Sequence, residues 1–235
     1  MVELGSALVF LILFQLEVRL GGFNLPGGPQ PTVDGVGWMF APWMPLALGR
    51  WSQHVALSCA LLLAWRIRAE GGEAPTRFWG WALALTWIPP LFFPELRPVP
   101  ATTGIDPVWI RGLVDGLAGA GLGWLAGGGN SPRAERRERT RLFALVGGAL
   151  GWQACLTAVG LAGPVRFLGV TLGRRPFGPV ELEARAGLIA VVAFQLPFWR
   201  WLTAGTGVSE LGWAVACLGI TFGMLADRLG QERTA

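Results

Sequence analysis

The chain has 235 residues, 52% of them hydrophobic and only 14% charged, with a mean hydropathy of +0.48. A soluble domain carries roughly a quarter charged residues, so this composition predicts a surface solvated mostly by lipid. The net charge is +4 and all nineteen basic residues are arginine, but no soluble basic domain is present to hold nucleic acid, which excludes that partner.

Taken in chain order, apolar runs of roughly 20 residues mark candidate membrane spans. The first is 4–20; its acidic start at Glu3 and its lack of a basic n-region argue against a removable signal peptide. A turn-rich loop fills 21–37, and 38–48 (WMFAPWMPLAL) is short, broken by proline and rich in tryptophan, which suits an interfacial segment. Further spans are expected at 52–67, 78–93, 108–126, 142–152, 154–173, 187–203 and 208–226. The fold expected is therefore an all-α polytopic membrane helix bundle of about eight transmembrane segments, forming one domain over 1–235.

Charge orients those segments. The loops expected at 66–77, 131–141 and 174–185 and the C-terminal tail hold thirteen of the nineteen arginines, so the positive-inside rule puts them and both termini on the cytoplasmic side of an inner membrane. Within 108–126, Gly112, Gly116 and Ala120 lie four apart, as do Gly119, Gly123 and Gly127, a smooth face on which another helix packs closely. Cys59, Cys155 and Cys217 are scattered singly in apolar stretches, so no disulfide framework or cysteine metal site is expected. His54 is the sole histidine; helix packing or an interfacial hydrogen bond is its expected role, and no metal or other cofactor is expected.

Three stretches together resemble the prepilin peptidases, intramembrane aspartic proteases that trim pilin-like precursors. GGFNLP at 21–26 followed by HVALSCALLLAWRIRAEGGEAP at 54–75 is similar to a family helix running into an I-D-x-D-G-x-x-I-P segment. RTRLFALVGGALGWQ at 139–153 resembles the family's G-x-G-D-x-x-L-L-A-x-x-G-A-x-L-G-W-Q, and RRPFGP at 174–179 resembles its basic-then-I-P-F-G-P entry to a late helix. The motif positions matched are Gly71, Pro75, Gly151, Trp152, Gln153, Phe177, Gly178 and Pro179. The resemblance implies an all-helical peptidase fold, a site near the cytoplasmic face and a substrate helix delivered from the membrane.

The chain departs from the family where its chemistry resides. Two carboxylates held close share a proton, so one serves as acid while the other deprotonates water. With Pro75 and Gly151–Gln153 in register, both aspartate positions read as arginine, Arg68 and Arg139. A guanidinium neither accepts a proton nor activates water at neutral pH. An alternative register puts Asn130 at the second position, which still supplies no base. Glu70 and Asp115 are the candidate substitute acids, although Asp115 lies one turn past Arg111, where a structural pair is expected.

The function expected is thus non-enzymatic, a prepilin-peptidase-like pseudoenzyme that binds pilin-like precursors or partners the membrane proteins of a type IV pilus or type II secretion assembly, with lipid around it. The alternatives are an active aspartic endopeptidase with a displaced acid pair, and an unrelated small transporter or lipid-binding membrane protein.

Overall fold

The structure, a computed structural model, describes residues 2–20, 44–98, 106–127, 133–171, 191–192 and 195–197. All regular structure among them is helical: α1 (Val2–Leu13), a π-helical segment (Phe14–Arg19), α2 (Met44–Ala69), α3 (Thr76–Phe92), a 3-10 turn (Pro94–Leu96), α4 (Val108–Gly127), α5 (Arg133–Leu150) and α6 (Trp152–Thr171).

Local chemistry sets the boundaries. Helix α2 ends in a Schellman motif: Gly71 takes φ of 82°, its N–H donates to the Arg68 carbonyl at 2.9 Å, and the Gly72 N–H donates to the Ile67 carbonyl at 3.0 Å. Pro75, extended at ψ 151°, then caps α3, because proline lacks the N–H that a helix start leaves unused. Helices α5 and α6 are separated by a single residue, Gly151, at φ 87°. The charged stretch 131–141, expected as a loop, supplies most of the first half of α5 from Arg133 onward; alanine, glutamate and arginine are good helix formers. Likewise α2 begins at Met44, within the segment expected to lie at an interface.

The helices share one core. Leu13 of α1, Leu57 and Leu61 of α2, Trp79 of α3, Leu142, Leu145 and Leu150 of α5 and Ala154 and Ala158 of α6 belong to one buried apolar cluster. Each fully buried leucine contributes about 1.5–3 kcal/mol relative to exposure. The face of α4 predicted from its small residues is its buried face: Gly112, Gly116, Gly119, Ala120, Gly123 and Gly127 all point inward. A Cβ at Gly119 or Gly123 would collide with the backbone of Gly147 or Phe143, and one at Gly127 would stand 2.5 Å from the Thr140 Cα. Backbone thus lies on backbone along the α4–α5 seam.

The eight-span membrane reading does not survive this structure, since no described helix is both long and apolar enough to cross a membrane. The reasons differ from helix to helix. Helix α1 has 12 residues before the π segment, which itself carries Glu17 and Arg19. Helix α2 has 26 residues, but Arg50, Ser52, Gln53 and His54 interrupt its apolar run. Helix α3 stops at 17 with Pro89 and Pro90 inside it, α4 is diluted by glycine and carries Arg111 and Asp115, and the first half of α5 is charged. Helix α6 contains Pro164 and Arg166. The multi-pass, inner-membrane placement with cytoplasmic termini, inferred from those spans, falls with them. The spans expected at 187–203 and 208–226 lie outside the described residues except at 191–192 and 195–197, which are helical.

Candidate functional site

The most polar part of the interior lies where the end of the first helix meets α2 and α3. In the π-helical segment, hydrogen bonds reach back five residues, as from the Leu20 N–H to the Gln15 carbonyl at 3.0 Å. Such turns are rare and frequent at functional sites. This one delivers Glu17 into the core. His54, from the middle of α2, donates from Nδ1 to Glu17 Oε1 at 2.6 Å, and both side chains are completely buried. Next to His54, Gln53 donates from Nε2 to the Thr86 carbonyl of α3, while the Thr86 hydroxyl donates to Ala82 at 2.7 Å. One turn earlier, Arg50 donates from Nε to the Glu95 carbonyl at 2.6 Å. Burial pushes the Arg50 pKa down, opposed by the nearby charges of Glu17 and Glu95.

A carboxylate that orients an imidazole is the arrangement a general base needs. Here the second ring nitrogen of His54 and the second oxygen of Glu17 are sealed from solvent and have no hydrogen-bond partner. No substrate atom can reach Nε2 in this packing, so the pair joins two helices instead of performing catalysis. The expected hydrogen-bonding role of His54 is what the structure shows, with a buried partner that the sequence reading did not single out. The available signal was Glu17 itself, an acid between Leu16 and Val18 in an apolar helix, which must find a partner if buried. Among the described residues no group of three or more histidine, cysteine, aspartate or glutamate side chains is placed to hold a metal.

A second buried charge lies at the 3-10 turn. Arg97 is 2% exposed and donates from Nη2 to the Gly148 carbonyl at 3.3 Å, beside Gly116 and Gly151, where side chains would crowd it. Burial pushes its pKa down to about 10, partly offset by the charge of Asp115. Arg111 reaches Asp106 at 3.5 Å.

Of the three stretches that carry the likeness to the prepilin peptidases, the first and the helix that holds the second are joined by a hydrogen bond. Glu138 of α5 accepts the Ala74 N–H of the α2–α3 turn at 3.0 Å, joining segments 64 residues apart in sequence. Arg68 lies in the last turn of α2. Arg139 is buried, and its Nε donates to the Gly127 carbonyl at 2.8 Å, closing the end of α4 onto α5. Glu70 is exposed and pairs with Arg66 at 2.5 Å, whereas Asp115 is buried on α4 near Arg97. One substitute acid thus faces water while the other is in the core.

No family model, curated protein or solved structure matches this chain. The likeness to the prepilin peptidases therefore rests on its quoted residues alone. Of these, Gly71, Pro75 and Gly151 fix helix boundaries, and Trp152 and Gln153 open α6. Phe177, Gly178 and Pro179 lie outside the described residues.

Proposed function

We propose that this chain binds an apolar helix, of the kind found in pilin-like precursors or in the membrane proteins that assemble them, without cutting it. The observation that carries this reading is the use made of Arg139. At a position where the resemblance would place a catalytic aspartate, its guanidinium is buried and holds the Gly127 carbonyl. The neighbouring acids are also engaged, Glu138 on the Ala74 N–H and Glu70 on Arg66. The junction has the hydrogen bonding of a structural corner.

A face for a partner helix is available on the outside of α4. Val114, Leu117, Trp124 and Leu125 are exposed there, and Gly121 between them has nothing within 4 Å of its Cβ position. Large apolar groups spaced along a stripe with a small residue between them let a second helix approach closely.

Co-expression with a pilin-like precursor tests the proposal. The precursor is expected to co-purify at full length with the natural chain and to be lost when Leu117 and Trp124 are both changed to glutamate. Recovery of a shortened precursor, or of none with the natural chain, would overturn it. An Arg68→Asp, Arg139→Asp double variant sharpens the outcome, because a gain of cleavage would show a peptidase scaffold beneath the lost acids.

A further inference from the structure

One end of the bundle collects arginines. Arg68 and Arg77 flank the α2–α3 turn, and the Glu138–Ala74 hydrogen bond joins that turn to the first half of α5, where Arg136 and Arg137 are exposed. Arg141 lies over the Trp79 ring at 5.9 Å, fixing the same corner from inside. Of the glutamates described here, Glu70 is paired with Arg66, Glu138 is buried on a backbone N–H and Glu73 is exposed in the turn, so the exposed Arg77, Arg136 and Arg137 outnumber the acid beside them.

From this corner an apolar stripe runs down the outside of α3. Arg77, Trp81, Leu85, Ile88 and Phe92 follow at helical spacing, and all are exposed, Trp81 by 69%, Leu85 by 58% and Phe92 by 62%. At about 1.5 Å per residue, Phe92 stands roughly 22 Å along the axis from Arg77. The order of cation, indole and then aliphatic and aromatic carbon is the order of zones in a phospholipid, from phosphate through the ester layer to the acyl chains.

We propose that this edge binds anionic phospholipid, with head-group phosphates on the arginine corner and acyl chains along the α3 stripe. An acidic protein segment would match the arginines but leave the stripe bare. A neutral apolar helix would cover the stripe and bring no counter-charge to Arg77, Arg136 and Arg137. Lipid held on the outer face of one helix requires no helix to cross a bilayer, and the inference does not depend on the α4 surface proposed above.

The test is flotation of the full chain with vesicles of phosphatidylcholine alone and of an equimolar phosphatidylcholine–phosphatidylglycerol mixture. Each exposed arginine near an anionic surface contributes about a fivefold gain in affinity, so the mixed vesicles are expected to bind on the order of 100-fold more tightly. Changing Arg77, Arg136 and Arg137 together to glutamate is expected to abolish that preference with helicity retained, and Trp81→Ser with Leu85→Ser to weaken binding to both vesicles. Because the Debye length falls to about 3 Å in 1 M salt, the natural chain should also lose its preference there. Equal affinity for the two compositions, or a preference that survives both charge reversal and salt, would overturn the inference. So would displacement by glycerophosphate at matched phosphate concentration, which marks a phosphate site alone, or binding of polyglutamate without binding of vesicles, which marks an acidic protein partner.

Discussion

The α4–α5 seam and the polar layer around His54 hold helices together in opposite ways. Along the seam, Gly119, Gly123 and Gly127 bring α4 against the backbone of Gly147, Phe143 and Thr140, and contact depends on the absence of side chains. In the polar layer, the π-helical segment, α2 and α3 are joined through particular side chains, Glu17 to His54 and Gln53 to the Thr86 carbonyl. Each of these also leaves an atom without a partner: Glu17 Oε2, His54 Nε2 and Gln53 Oε1. Added atoms should therefore break the seam, and removed atoms the polar layer.

The largest effect is expected in the polar layer. Removing one partner of a buried hydrogen bond costs about 1–3 kcal/mol, more where the group left behind is charged, whereas replacing both by apolar residues is often neutral. His54→Leu alone should lower the stability read from denaturant unfolding by that amount, since it leaves the Glu17 carboxylate buried without its donor. Glu17→Leu combined with His54→Leu should recover most of the loss. If the single substitution costs under about 1 kcal/mol, less than an ordinary hydrogen bond, the two groups are not coupled in the folded chain.

The seam comes next. Gly123→Ala puts a methyl against the Phe143 backbone, which cannot yield as a flexible side chain would, and overpacking of this kind costs about 1–3 kcal/mol. Gly121→Ala, two residues away on the open face of the same helix, should stabilise by about 0.5–1 kcal/mol through helix propensity. Opposite signs from the same substitution would confirm that the seam is the contact face of α4; equal signs would remove that assignment.

The two regions also differ in how far the sequence discloses them. The seam is a local pattern, small residues four apart on one helix, and the face it marks is the one the structure buries. Gly71, Pro75 and Gly151 entered only as motif positions, yet each marks a helix boundary for a local reason, since the required backbone angles suit glycine and proline. The polar layer was not legible, since Glu17 and His54 are 37 residues apart and no spacing rule pairs them. The membrane reading failed through composition: abundant alanine and tryptophan raise the hydrophobic fraction, while glycine, proline and scattered charges deny every described helix a continuous, strongly apolar run. The first half of α5 is dense in charge, which suits a solvated loop, yet alanine, glutamate and arginine are also good helix formers and that propensity prevails here.

Cysteine reactivity gives the finest probe of whether seam and polar layer open together. Cys59 is exposed on α2, whereas Cys155 is buried on α6, and its N–H donates to the Gly151 carbonyl at 3.0 Å, where the seam ends. Burial pushes the Cys155 thiol up to about 12, so the thiolate that maleimides attack is scarce in the folded chain. The sign follows: a raised thiol pKa favours the folded state below the ordinary value of about 8.5, and that advantage is lost as pH rises from there towards 12. Near neutral pH, N-ethylmaleimide should therefore modify Cys59 in the folded chain and Cys155 only on opening, with peptide mass mapping separating both from each other and from Cys217. One core links Leu13, Leu57, Trp79, Leu145 and Ala154, so both regions should open as a unit. Gly123→Ala and His54→Leu should then each accelerate Cys155 labelling in proportion to their loss of stability. If only Gly123→Ala accelerates it, the seam opens independently and the polar layer holds no more than the first three helices.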